Sequence, residues 1–315
     1  MNNRKSFITG IKGSKLNKLE INFLKKHKPW GIILFSRNLQ NVNQIIKLTS
    51  DIKKIFKDKN YPIMIDQEGG RINRLKKIIS LDNLTSEYFG KIFVDDRKKF
   101  NISYKLFVDK ISYILNILGI NINTVPVLDL RYKGASSIIG DRSFSKDTKI
   151  TSYIGDLCIK YFKANSIGTI IKHIPGHGLA NLDSHYFTPT IHKDLSYLKK
   201  NDFKVFKSKK TLFAMTAHVI FKKIDPDNTV THSKKLIDII RNQIKFKNLI
   251  ISDDLSMKSL KYSIEQNTIK TFKAGCNLAL HCNGNLKEMN IVAKNSPKIN
   301  SFIRKKTSEF YKILS

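Results

Sequence analysis

The sequence predicts an α/β fold, a single-domain (β/α)8 TIM barrel, and three observations carry that prediction. Short apolar runs rich in Ile, Val, Leu and Phe alternate with segments of helical spacing along the whole chain. Strands buried on both faces have that continuous apolar character, which parallel sheets require. The alternation repeats about eight times, and a length of 315 residues suits a barrel of this kind. A doubly wound open sheet would produce a similar alternation, so the pattern alone leaves both architectures open.

In chain order the expected strands are 7–9, 32–35, 63–66, 123–128, 169–173, 212–218, 249–253 and 278–281. Between them, Leu16, Leu19 and Phe23 fall on one helical face. Phe107, Ile111, Ile114 and Leu118 form a second face, with Gly119 placed to end that helix. Leu236, Ile239, Ile240 and Ile244 form a third. No Pro/Gly/Ser-rich linker, composition shift or internal repeat divides the chain, so one domain is expected over 1–315.

Composition narrows the function classes. An apolar fraction of 41% with 10% aromatics excludes a disordered scaffold. No apolar run reaches the ~18 residues of a membrane-spanning helix. Cys158, Cys276 and Cys282 cannot pair fully and lack metal-ligand spacing. The first 13 residues are basic but have no apolar core, so no signal peptide and a cytoplasmic location are expected. The net charge of +32 invites a nucleic-acid reading. However, Lys supplies 48 of the 57 basic residues, and Lys, Ile and Asn together make 120 of the 315 residues. These three share AT-rich codons, and the lysines are spread along the whole chain without a recognisable reading module. A solvated surface of biased composition is the reading, with no specific nucleic-acid partner and only salt-labile sticking.

The distinctive polar residues cluster where strands end: Asp66 with Glu68 and Arg71, then Asp129, Lys172 with His173, His218, and Asp253 with Asp254. In a barrel that rim is where catalytic groups gather. The richest segment is 172–185, which holds three His, one Asp, two Gly and one Pro in 14 residues. Asp183 and His185 stand two apart, so the carboxylate can orient the imidazole and support its charged form. A metal site built from His173, His177, Asp183 and His185 is the rival reading, without a known metal motif behind it. Adjacent Asp253 and Asp254 point to opposite faces of a strand. Asp253 is read as nucleophile or base, and Asp254 as a cap or orienting residue.

Seven stretches carry a family resemblance: GIILFSRN (31–38), IDQEGGR (65–71), PVLD (126–129), IGDRSF (139–144), KHIPGHG (172–178) with DSH (183–185), AH (217–218) and ISDDLSM (251–257). Together they resemble glycoside hydrolase family 3, and within it the bacterial β-N-acetylglucosaminidases of the NagZ type, over about residues 6–285. The resemblance implies that Asp253 is the catalytic nucleophile, His185 the general acid/base and Asp183 its partner. It implies sugar binding by Asp66, Arg74, Arg142, Lys172 and His173. Asn277 departs from the Asp usual at its position.

The implied reaction is retaining hydrolysis of terminal β-linked N-acetylglucosamine from muropeptides (the disaccharide with 1,6-anhydro-muramic acid, with or without peptide) in peptidoglycan recycling. No cofactor and no metal are implied. The expected partner is the carbohydrate alone, with no membrane, and the expected state is a monomer. A His–Asp pair in place of a second carboxylate also removes a negative charge near the nucleophile, so phosphorolysis stands beside hydrolysis as a hypothesis. A family 3 enzyme for another β-linked sugar and a catalytically silent basic barrel are the alternatives.

Overall fold

Eight parallel strands close on themselves: β1 (Lys5–Thr9), β2 (Pro29–Leu34), β3 (Ile63–Ile65), β4 (Ile122–Asn123), β5 (Gly168–Ile174), β6 (Phe213–Thr216), β7 (Leu249–Asp254) and β8 (Leu278–His281). This computed structural model describes residues 3–184 and 187–315. Neighbours around the barrel follow chain order, and Phe7 of β1 lies opposite Ala279 of β8 to complete the ring. The barrel is therefore the outcome, and the open sheet is excluded. Each expected apolar run overlaps one barrel strand. The run 123–128 keeps only Ile122–Asn123 as regular strand, because Pro126 has no N–H to give the ladder. Pairing resumes beyond it, where the Leu128 N–H donates to the Lys172 carbonyl at 2.7 Å.

The helices α1 (Lys18–His27), α2 (Val42–Phe56), α3 (Ser86–Asp95), α4 (Arg97–Ile117), α5 (Thr148–Ala164), α6 (Leu195–Lys200), α7 (Asp202–Val205), α8 (Lys234–Asn242), α9 (Ile264–Ala274), α10 (Leu286–Asn295) and α11 (Ser301–Tyr311) surround the strands. The faces expected on α4 and α8 turn inward, and Gly119 follows α4 with a left-handed φ of 72°. The face expected on α1 does not: Leu19 is 65% exposed and Leu16 precedes the helix. The cause is a capping box. The Asn17 side chain accepts from the Glu20 N–H while the Glu20 carboxylate accepts from the Asn17 and Lys12 N–H groups. Buried Glu20 thus selects Phe23 and Leu24 as the inward residues. Asn277 keeps an acceptor role, its side-chain oxygen taking the Ile250 N–H at 2.8 Å and Arg241 at 2.7 Å. No helix among the described residues is long and apolar enough to cross a membrane.

The last helix seals the N-terminal mouth. Phe310 of α11 packs edge-on against Phe213, at the start of β6, with ring centroids 5.5 Å apart. Trp30, at the start of β2, packs on the same ring and donates its indole N–H to Thr307 at 2.8 Å. The opposite mouth is left for chemistry. There the turn after β5 abuts α7. Gly176 has a φ of 140°, and a Cβ on it would meet the Asp202 Cβ at 2.8 Å. The Asp202 carboxyl accepts the Tyr132 hydroxyl at 2.9 Å and has no cationic partner among the described residues. Burial pushes this carboxyl up to about 7 against the pull of the Tyr132 hydrogen bond.

Two outcomes are expected. Phe310→Ala opens a cavity at the plug and lowers the unfolding free energy by about 3–5 kcal/mol in a denaturant titration. Asp202 titrates higher folded than unfolded, so its stability contribution is complete below about pH 4 and is lost as pH rises through about 7. The melting temperature of Asp202→Asn relative to wild type therefore rises from pH 5 to pH 8. An equal difference at both pH values would contradict the assignment.

Candidate active site

A pocket opens at the C-terminal mouth, over the ends of β2, β3 and β5 to β8. A row of alternating charges forms one wall. Arg74 Nη2 donates to Asp66 Oδ2 at 3.2 Å, and Lys172 Nζ donates to Asp66 Oδ1 at 3.0 Å. Lys172 also pairs with Glu68 Oε1 at 2.6 Å. Glu68 receives Arg142 in a two-pronged bond, Nε to Oε2 at 2.8 Å and Nη2 to Oε1 at 2.9 Å. Burial alone would raise both carboxyls. Lys172 and Arg74 nevertheless hold Asp66 well below the carboxylate range, and Arg142 and Lys172 hold Glu68 down at about 2. Both are anions at neutral pH. Among the described residues the buried Nε of Arg74 has no hydrogen-bond partner.

Local structure fixes the row. After β3 the chain doubles back, pairing Gln67–Gly69 with Ile72–Asn73, and the Gln67 side chain donates to Asn73 at 2.9 Å. Asn123 of β4 receives the Gln67 N–H at 3.0 Å, tying this hairpin to the barrel. Arg71 then crosses to the loop that carries Arg142. Its guanidinium binds Asp141 at 2.8 Å and the carbonyls of Ser137 and Ile138 at 2.6 and 2.7 Å.

A second group is built on Asp129, fully buried at the end of the 123–128 run. It accepts the His173 Nδ1–H at 2.6 Å and the His177 N–H at 2.6 Å. Burial would raise this carboxyl, but His173 and His177 keep it below its ordinary value. The arrangement leaves His173 Nε2 as the ring atom open to a ligand. His177 shares a 3.0 Å hydrogen bond with Ser184 through Nε2. Burial and its neighbour His173 push the His177 imidazole down to about 4, so it is neutral.

Asp253 and Asp254 do not point to opposite faces as expected: β7 ends at Asp254, where the chain turns, and both residues line the pocket. Asp254 Oδ1 accepts the N–H groups of Ser256 and Cys282, both at 3.0 Å, which shapes the turn after β7. Asp253 faces the pocket and accepts only the Asp254 N–H, at 2.8 Å, among the described residues. Burial would raise its carboxyl. The imidazoles of His218 and His173, that N–H and the Lys172 ammonium together hold it low. His218 is itself fixed, donating Nε2–H to the Asp254 carbonyl at 3.0 Å and accepting from Thr231 at 2.7 Å.

The structure thus gathers Asp66, Arg74, Arg142, Lys172, His173 and Asp253 around one pocket. Asp183 sits half-buried in the loop after β5, where the pocket wall is made by His177 and Ser184 instead. His185, expected as the acid/base, lies outside the described residues. Among the described residues no group of three His, Cys, Asp or Glu side chains is arranged to hold a metal ion. Sequence reasoning placed Glu68, Arg71 and Asp129 in the polar cluster at the strand ends but assigned none of them an individual role. Thr124, which bonds Lys172 Nζ at 2.9 Å, carried no signal at all.

Comparison with known proteins bears on the family and the fold. Residues 8–301 match the model of the glycosyl hydrolase family 3 N-terminal domain. The chain is 32% identical over 268 residues to the β-hexosaminidase of Nitrosomonas eutropha, an alignment spanning 80% of this chain and 73% of that one. Its fold superposes on NagZ of Neisseria gonorrhoeae, solved in complex with N-trifluoroacetyl-D-glucosamine, with a TM-score of 0.85 and 26% identity over 98% of this chain and 90% of that one. It also superposes on a family 3 β-N-acetylglucosaminidase of Paenibacillus sp. FPU-7, with a TM-score of 0.85 and 23% identity, where it covers 98% of its own length and spans 60% of that chain. A closed barrel whose strand ends carry this pocket, matched by the family model along nearly its whole length, belongs to glycosyl hydrolase family 3.

Proposed function

We propose that this protein is a retaining β-N-acetylglucosaminidase acting through a covalent intermediate on Asp253, with all 315 residues forming one catalytic unit. The observation that carries the reading is the state of Asp253: an ionised carboxylate held in a pocket whose facing wall is a row of fixed hydrogen-bonding charges. Such a row suits a neutral polyhydroxylated ring. Asp66 accepts from ring hydroxyls, and Arg74, Arg142, Lys172 and His173 donate or accept around the sugar. The names of the Nitrosomonas and gonococcal relatives support an N-acetylhexosamine as that ring.

In the first step an Asp253 oxygen attacks the anomeric carbon while its bond to the leaving oxygen breaks. His185, charged and steadied by Asp183, gives its proton to that oxygen. In the second step neutral His185 takes a proton from water. The water oxygen then bonds to the anomeric carbon, and the Asp253 ester bond breaks with return of the carboxylate. His177 serves this loop by holding Ser184, two residues after Asp183's predecessor Leu182, at 3.0 Å. The substrate proposed is the N-acetylglucosaminyl-anhydro-muramic acid disaccharide, with or without peptide, in cytoplasmic peptidoglycan recycling.

The test is hydrolysis of 4-nitrophenyl N-acetyl-β-glucosaminide with the glucoside as control. Wild type is expected to turn over the first only. Asp253→Asn lowers kcat by ~10³-fold or more, and His185→Ala lowers it by ~10²-fold or more. Folded wild type that cleaves neither glycoside, or Asp253→Asn that retains full activity, would sink the proposal.

A further inference from the structure

The strand end that carries Asp253 has left the regular ladder of the barrel. On one side β7 pairs with β6 at Leu249, Ile250 and Ile251, opposite Phe213, Ala214 and Met215, and the pairing stops there. On the other side Ile251 lies opposite Leu278 while Asp254 lies opposite Leu280, so three steps of β7 span two of β8. An irregularity of this kind leaves a residue outside the ladder and re-aims its side chain. Asp253 falls within it.

Side chains take over where the ladder ends. Toward β8 the Ser252 hydroxyl accepts the Leu280 N–H at 2.9 Å. Toward β6 the tie is His218, whose Nε2–H donates to the Asp254 carbonyl at 3.0 Å. The N–H of the same residue, Asp254, donates to the Asp253 carboxylate at 2.8 Å. His218 is fully buried and lies outside the pocket lining, so it reaches the chemistry through these groups alone.

The other ring nitrogen decides how His218 is held. Nδ1 lies 2.7 Å from the Thr231 hydroxyl, which lies 2.7 Å from the hydroxyl of Thr216. All three side chains are fully buried. A carbonyl can only accept, so Nε2 carries the proton that faces Asp254. Burial pushes the imidazole below its ordinary value, so the ring is neutral and Nδ1 accepts. The Thr231 O–H therefore points to Nδ1, and the Thr216 O–H to the Thr231 oxygen. Hydrogen bonds run in one direction from Thr216, at the end of β6, through Thr231 in the short turn Val230–His232, to His218 and the Asp254 carbonyl.

The geometry points to Thr231 as a positioning residue for the nucleophile, holding His218 in the orientation that anchors the strand end of Asp253, an inference that rests on the glycosidase reading above. Among the described residues no other donor reaches Nδ1. Without the Thr231 hydroxyl, Nδ1 is a buried acceptor with nothing to accept, and the ring gains by turning away. Asp254 then loses its tie toward β6, and Asp253 leaves its line of attack. A misplacement of about 1 Å at a reacting group costs up to about 10²-fold in rate. Ser252 still holds the strand from the β8 side, so a smaller loss is expected.

Thr231→Val keeps the shape of the side chain and removes the hydroxyl, whereas Thr231→Ser keeps the hydroxyl. On 4-nitrophenyl N-acetyl-β-glucosaminide, kcat of Thr231→Val is expected to fall about tenfold with KM within about twofold, because the groups that would bind the sugar are untouched. Thr231→Ser is expected to restore kcat to within about threefold of wild type. Ring-nitrogen NMR of the wild-type protein at pH 7 is expected to show His218 neutral with its proton on Nε2, a measurement that does not depend on any variant folding. Three results overturn the role while wild-type turnover leaves the glycosidase reading standing: Thr231→Val that melts lower yet keeps the wild-type kcat, Thr231→Ser as slow as Thr231→Val, or His218 carrying its proton on Nδ1. Wild type inert on the glycoside overturns that reading and this role with it.

Discussion

The alternating row Arg74–Asp66–Lys172–Glu68–Arg142 is the constraint on which the pocket depends. Its members come from the segment after β3, the loop before α5 and the end of β5. Removing one partner from such a buried pair leaves an uncompensated charge, at a cost of about 3–5 kcal/mol. The row therefore holds three separate stretches of chain in one geometry. It carries one more cation than anion, opposite the ionised Asp253, so the pocket as a whole is close to electrically balanced. Fixed donors and acceptors placed this way need little rearrangement when a sugar replaces water, which is the physical basis of preorganised binding.

Asp129 plays the corresponding part on the other side. One carboxylate fixes His173 through its ring and main chain, and takes the main-chain N–H of His177. His177 in turn reaches Ser184, beside the proposed acid/base pair. The hydrogen bonds run from a buried barrel residue outward to the loop, so the loop's base is anchored. Asp202, pressed beneath Gly176, adds a carboxyl whose ionisation works against the folded state near neutral pH.

Much of this was legible in the sequence because barrel strands are short and apolar and their ends are where ionisable residues resume. All eight runs found their strands, and Asp66, Lys172, His173 and Asp253 stand at strand ends facing one pocket. What the sequence hid was pairing at a distance. Glu68 and Arg142 are 74 residues apart, and no spacing rule relates them. Leu19 was misread for a local reason: apolar spacing suggested one helical face, while the Asn17–Glu20 capping box set another. The strand at 123–128 was overextended because its apolar character continues through a proline that cannot donate to a ladder.

The central claim is that Asp253 forms a covalent bond to the sugar, and trapping that bond tests it most directly. The enzyme would be incubated with a 5-fluoro N-acetylglucosaminyl fluoride, digested, and the modified peptide sequenced by mass spectrometry. The account predicts one fluoro-sugar adduct, on the peptide from β7, at Asp253, and none in Asp253→Asn. An adduct on another residue, or turnover of the reagent with no adduct at any time while the enzyme remains active, would contradict it.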